Sequence, residues 1–286
     1  MLIAVCSLGG SPGVTTWSVA LAARWPEPAH PVVVECDPSG GSLAVRFGIN
    51  PTPGLVSLTA AARRDTTAGL LWDHAQPLPG GLPVVVAPPG ADYTRAALAT
   101  LADSRRDSVS VLRSAAARPA SMVIADCGRL DTGSPAVAIA READRVLLLV
   151  RSRADELARL AAGLSLVDLW AMRPGLLLVG PGYSAAEVTR ELGVPVIATI
   201  PHDDKGANAL SGIAGPRRGP VRSPLGRAAH AVATALVEPR TEAPASDHAS
   251  INERAAAHLV PRHEIPWPPV TSGGPTRNGM RLEDPR

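Results

Sequence analysis

The sequence predicts an α/β protein: a mostly parallel sheet of about seven strands with helices on both faces. Three observations carry this. Short β-branched or leucine-rich runs recur between alanine-rich stretches of helical length, a βαβα alternation. Several runs are apolar at consecutive positions, such as "VVV" from Val32 and "LLLV" from Leu147, as expected of strands buried on both faces. The first run leads at once into a glycine-rich turn and a helical pattern, "CSLGGSPGVTTWSVALA" from Cys6 to Ala22.

In chain order, strands are expected at Leu2 to Cys6, Pro31 to Glu35, Leu82 to Ala87, Ser121 to Ala125, Arg145 to Val150, Leu176 to Val179 and Val194 to Ile200. Helices are expected at Thr15 to Arg24, Leu55 to Arg64, Thr94 to Leu101, Ser108 to Arg118, Ala154 to Trp170, Ala185 to Leu192 and Leu225 to Val237. The segment "SAAEVTREL" opens on Ser184 with Glu187 three places on, the spacing of a capping box. Only 3% of the 286 residues are aromatic, so the core must be built from Ala, Val and Leu.

With 45% hydrophobic residues, the chain can bury one sizeable domain, expected over 1–237. From 238 to 286 the pattern gives way to Pro, charge and small polar residues, too little apolar surface to offset ordering entropy, and a disordered tail is expected. Within it Ile251 to Leu259 has a helical pattern and "EIPWPP" around Trp267 has the form of a docking motif; a solvated tail with no partner is the alternative. A net charge of +2 predicts neither nucleic-acid nor membrane binding, and the locally basic "GPRRGPVR" from Gly215 reads equally as a solvated loop. The apolar runs are strand-sized, far below the roughly 20 residues of a membrane span. Cys6, Cys36 and Cys127 have no CxxC spacing, and this odd count fits a reducing, cytoplasmic location. They stand at or near three strand ends, as a cluster or as small core residues.

"LGGSPGVTT" has the form of a phosphate-binding loop. Such loops curl backbone N–H groups around a phosphate at a helix N-terminus, use lysine to neutralise the β- and γ-phosphates, and place a Ser or Thr on Mg²⁺. Here the lysine position is Val14, and Lys205, the one lysine in the chain, is far along the sequence. Two further strand ends carry carboxylates: "VVVECDPSGG" with Glu35 and Asp37, and "SMVIADCG" with Asp126. At the carboxyl edge of a parallel sheet such groups reach a Mg²⁺ shell; singly they serve equally as turn formers or helix caps.

The order of "SLGGSPGVTT", "ECDPSGG", "TPGLVSLTAAARR", "MVIADCG", "EADRVLLLVRSRADELARL" and "LGVPVIATIPHDD" resembles the ParA/MinD group of deviant Walker-A P-loop ATPases over about Met1 to Val237. In loop style "GVTT" is similar to the TadZ/CpaE branch, which positions pilus and secretion assemblies. Where that group reads KGGxGKT, this chain has Gly9 and Val14 at the two lysine places. The resemblance implies a nucleotide site for ATP and Mg²⁺ formed by Gly9, Gly10, Ser11, Pro12, Gly13, Val14, Thr15 and Thr16. It implies Thr15 and Asp126 as metal-associated, Asp126 through water, and Asp37 as the residue positioning the attacking water. Pro201, His202 and Asp203 would border the adenine, and Cys127, Gly128 and Arg129 would open switch II. Arg129, Arg151 and Arg153 are candidates to replace the lost charge, or are solvated residues near loops.

The resemblance further implies a homodimer acting on a partition, pilus or secretion partner, with DNA as a weaker option and direct membrane binding disfavoured. Losing a cationic group of this kind costs about 10³ to 10⁵ in phosphoryl-transfer rate, so weak or slow hydrolysis is expected. The alternatives are a pseudo-ATPase scaffold without nucleotide and an ATP-dependent small-molecule enzyme.

Overall fold

The computed structural model describes residues 1–10, 12–64, 67–101, 110–170, 174–212 and 220–237, without the side chains of 164–170. The expected tail from Glu238, Ser11, and most of "GPRRGPVR" lie outside them. The strands are β1 (Leu2–Ser7), β2 (His30–Glu35), β3 (Gln76–Pro77), β4 (Pro83–Val85), β5 (Ser121–Arg129), β6 (Arg145–Arg151), β7 (Pro174–Val179) and β8 (Val196–Ile200). They form one sheet in the order β3-β4-β2-β5-β1-β6-β7-β8. All pairings are parallel except β3 with β4. The seven parallel strands are the seven the sequence predicts; β3 is a two-residue antiparallel edge, too short to leave a periodic signal.

Helices cover both faces because alternate residues of each strand feed separate apolar layers. Leu2, Ala4 and Cys6 of β1 join one layer with Leu55, Leu98, Leu112 and Leu160, from α3 (Leu55–Ala62), α5 (Ala91–Leu101), α6 (Val111–Ala116) and α8 (Ala154–Trp170). Ile3 and Val5 join the other with Trp17, Leu21 and Ala229, from α1 (Val14–Ala23) and α11 (Pro224–Val237). Trp17, 1% exposed, is the largest fully buried side chain in a core dominated by Leu, Val and Ala.

The short helices α2 (Leu43–Phe47), α4 (Leu70–Asp73), α7 (Ala136–Glu142) and α10 (Asp204–Ala209) were not expected; four to seven residues give too few turns for an amphipathic period. The capping box at α9 (Ala185–Leu192) is present: Glu187 N–H donates to Ser184 Oγ at 3.3 Å, and Ser184 N–H donates to Glu187 Oε2 at 2.8 Å.

Candidate functional site

Three parallel strands end side by side, β2, β5 and β1, and their carboxyl ends carry the loop and the acidic residues. The strand β5 runs four residues past its expected end. It does so through a bulge: Val5 stands opposite Asp126 and Cys6 opposite Gly128, leaving Cys127 as the extra residue. A bulge bends a strand and re-aims its side chains, and this one falls at the residue whose direction matters.

Asp126 is fully buried. Its Oδ1 accepts a hydrogen bond from Gly128 N–H at 3.3 Å, while Oδ2 has no hydrogen-bond partner among the described residues. Burial pushes its carboxyl up to about 7; Glu35 and Asp37 push the same way, and hydrogen bonding from the Thr15 hydroxyl and Gly128 N–H opposes them. The Thr15 hydroxyl, in the first turn of α1, lies near this carboxylate without making a hydrogen bond to Oδ2.

Glu35, 2% exposed, is committed to backbone. Oε1 accepts from Ser42 N–H at 2.7 Å and Leu43 N–H at 2.9 Å, and Oε2 accepts from Ala87 N–H at 2.9 Å. One carboxylate thus ties the start of α2 to the chain just beyond β4. Burial raises its protonation range, with those three amides and the Arg46 charge opposing. Asp37 Oδ1 accepts from Ser39 N–H at 2.8 Å and so shapes its own turn. Its carboxylate lies against Gly128: a Cβ on that glycine would sit 2.1 Å from Asp37 Cγ. Gly128 also has φ of 57°, so only glycine lets the ends of β2 and β5 bring Asp37 and Asp126 together.

The loop itself is differently made. Gly13, with φ of 96°, precedes α1, and its carbonyl accepts the first helical hydrogen bond from Trp17 N–H at 2.9 Å. Val14, at the lysine position, is 7% exposed and belongs to the apolar layer with Trp17 and Val5. Gly9 and Gly10 face an acidic residue that sequence reasoning missed, Glu156 in the first turn of α8. A Cβ at Gly9 would lie 2.7 Å from Glu156 Oε2, and one at Gly10 would lie 3.0 Å from Oε1 and 3.4 Å from Arg151 Nη1. Arg151 and Glu156 form an ion pair at 3.6 Å. A second missed residue is Arg46 in α2, whose Nη1 donates to Thr16 Oγ1 at 3.5 Å. The sequence signal for Glu156 was its place at the start of a helix following a strand end; Arg46 sits in a helix too short to be read.

The other candidates divide. Arg129 is exposed at the end of β5, opposite Ser7, and Arg153 turns outward to Asp155 at 3.6 Å. Pro201, His202 and Asp203 follow β8, which is separated from β1 by β6 and β7. Asp203 uses both oxygens structurally: Oδ1 caps α10 by accepting from Gly206 N–H at 2.9 Å, and Oδ2 accepts from Leu225 N–H at 3.0 Å. His202 is exposed beside Asp204 at 3.6 Å, and Lys205 is exposed in α10. The three cysteines are free and buried, and burial raises each thiol. No metal-holding group of three His, Cys, Asp or Glu exists among the described residues. No helix among the described residues is long and apolar enough to cross a membrane.

Whether a magnesium nucleotide fits can be judged from the donors. An unpartnered, buried carboxylate oxygen beside a threonine hydroxyl, at the mouth of a loop leading into a helix N-terminus, is a suitable edge for a hydrated Mg²⁺ and a phosphate. No protein-family model and no curated protein matches the sequence. Solved structures do match the fold. A ParA family ATPase from Chlorobium tepidum TLS aligns with a TM-score of 0.65 at 16% identity, covering 82% of this chain and 98% of that one. The septum site-determining protein MinD complexed with Mg-ADP, from Pyrococcus horikoshii OT3, aligns at 0.56 and 18% identity over 83% of this chain and 96% of that one. Cobyrinic acid a,c-diamide synthase from Mycobacterium smegmatis, with bound ATP analogue and magnesium, aligns at 0.54 and 19% identity over 82% and 93%. The chain has the α/β fold of the ParA/MinD-type P-loop ATPases.

Proposed function

We propose that the protein is a ParA/MinD-like nucleotide-binding regulator of localisation or assembly, serving a partition, pilus or secretion-type system, with weak or slow ATP hydrolysis. The observation that carries the nucleotide part is the unpartnered Asp126 Oδ2, held beside Thr15 in a fully buried position. A buried carboxylate oxygen without a partner costs folding energy unless a ligand supplies one. Bound Mg²⁺ would supply charge neutralisation for the phosphates. In this reading Thr15 and Asp126 orient the hydrated ion, Gly13 and the amides opening α1 cradle phosphate, Thr16 meets the α-phosphate, and Asp37 orients the attacking water. Pro201 and His202 border the base from the β8 side, with Asp203 holding that segment in shape. Val14 adds no charge, and this is the reason for slow turnover.

The regulatory part draws on the fold shared with ParA and MinD structures, one of them a MinC:MinD cell division complex from Aquifex aeolicus. By analogy this chain would act as a homodimer that recruits a partner protein, in the cytoplasm or at a membrane-associated assembly, in the manner of the TadZ/CpaE branch. A second reading, a scaffold that binds no nucleotide, is favoured by the Glu156 carboxylate beside Gly9 and Gly10, since it repels polyphosphate. The shared fold of the diamide synthase keeps an ATP-dependent enzyme as a third.

Calorimetric titration of Mg-ATP and Mg-ADP into the purified chain, with Asp126→Ala as control, separates them. Saturable heat in the wild type, lost in the variant, is expected. Absence of heat and of thermal shift with both nucleotides leaves the scaffold.

A further inference from the structure

Charge is spread unevenly along the loop. At its helical end stands the half-buried Arg46, on α2, whose first amides are fixed by Glu35. Its Nη1 donates to Thr16 Oγ1 at 3.5 Å, and this is the one hydrogen bond its guanidinium makes among the described residues. The backbone of Arg46 also packs on Gly212, just beyond α10, so closely that a Cβ there would overlap the Arg46 carbonyl oxygen. Arg46 therefore lies between the first turn of α1 and the chain that follows Pro201 and His202. At the strand end of the loop, Gly9 and Gly10 lie against Glu156, whose ion pair with Arg151 is neutral in sum. Between the two ends, Val14 is turned into the apolar layer.

We propose that the site recognises a nucleotide by its α-phosphate, through the Arg46 guanidinium, and that a terminal phosphate adds little to affinity, so that nucleoside di- and triphosphates are held alike. The inference rests on the nucleotide reading above. In that reading the first phosphate stands between Thr16 and the segment bordering the base, which is the place Arg46 occupies. A guanidinium presents five donors in a planar fork, so one can stay on Thr16 Oγ1 while others meet phosphate oxygens. Such a charge-assisted hydrogen bond is roughly twice as strong as a neutral one. Phosphates beyond the first meet backbone amides and a threonine hydroxyl but no lysine, and the ion pair beside Gly9 and Gly10 adds no net attraction. The protein thus reports that a nucleotide is present rather than that its terminal phosphate is intact.

The test is calorimetric titration of the full chain with Mg-ATP, Mg-ADP and AMP, for the wild type, Arg46→Ala, Arg46→Gln and Arg46→Lys. The wild type is expected to bind Mg-ATP and Mg-ADP within about fivefold of each other. Arg46→Ala and Arg46→Gln are expected to weaken all three ligands by about tenfold, and Arg46→Lys to recover much of the loss. Glutamine can still donate to Thr16 but carries no charge, so Arg46→Gln separates phosphate contact from mere support of Thr16. Thermal midpoints establish that each variant is folded, and the glutamine and lysine variants keep the charge question answerable if Arg46→Ala is unstable. An Arg46→Gln variant that binds like the wild type, or a wild-type preference between Mg-ATP and Mg-ADP beyond that range, overturns this proposal alone. No binding by the wild type overturns the nucleotide reading and this proposal with it.

Discussion

The two halves of the candidate site are made to different rules. On the acidic side, Glu35 and Asp126 are buried, Asp37 is half-buried, and all three are locked into the backbone they sit on. On the loop side, Val14 has turned into the core, Gly9 and Gly10 touch a carboxylate, and the cations come from α2 and β6. The carboxylates are part of the framework that forms the sheet edge, whereas the cations near the loop stand on elements outside it. Glu35 and the Asp37–Gly128 contact therefore cannot be altered without disturbing the fold, whereas the loop side tolerates change more readily.

That contrast can be broken by mutation, most severely at Glu35. Glu35→Ala strands the amides of Ser42, Leu43 and Ala87 in a buried place and is expected to cost about 3–5 kcal/mol in chemical denaturation. Gly128→Ala forces a Cβ into the Asp37 carboxylate at a left-handed φ, with an expected loss of about 3 kcal/mol by the same measurement. Asp126→Asn should act in the opposite sense. The folded-state value of about 7 lies above the ordinary 3.8, so the metal-free folded protein binds this proton more tightly than the unfolded chain. Its stability then falls as pH rises between those values and stays low above them. In chelator at pH 8, Asp126→Asn is expected to be more stable than wild type by on the order of 3 kcal/mol, with a flatter pH profile in urea titrations. Val14→Ala is the mildest, about 1 kcal/mol from lost apolar burial, read from a thermal midpoint. A costly Val14→Ala and a harmless Glu35→Ala would erase the distinction between the halves.

The sequence disclosed the parallel strands because residues such as Val32 to Val34 and Leu147 to Val150 are buried on both faces and repeat without alternation. It disclosed Asp126 and Asp37 because strand ends put them at one edge, but not their mutual fit, which depends on the bulge at Cys127 and the conformation of Gly128. Neither is a matter of residue type. It missed Arg46 and Glu156 because they reach the loop through tertiary contacts from remote helices, and no spacing rule joins position 46 or 156 to position 16 or 10. Asp203 shows what spacing does not display: it sits where the resemblance implies a base contact, and its two oxygens accept from Gly206 and Leu225 N–H, which shapes its own segment.

The Glu35 carboxylate also makes a dynamic unit of two distant pieces of chain. The amides of Ser42, Leu43 and Ala87 share one acceptor group, so none of them can open to solvent while that carboxylate remains seated. In hydrogen exchange they should behave as one cooperative set with a common opening free energy, although more than forty residues separate the first from the last. The turn that presents Asp37 then breathes together with the end of β4, and its mobility is set from outside the glycine-rich loop that precedes α1.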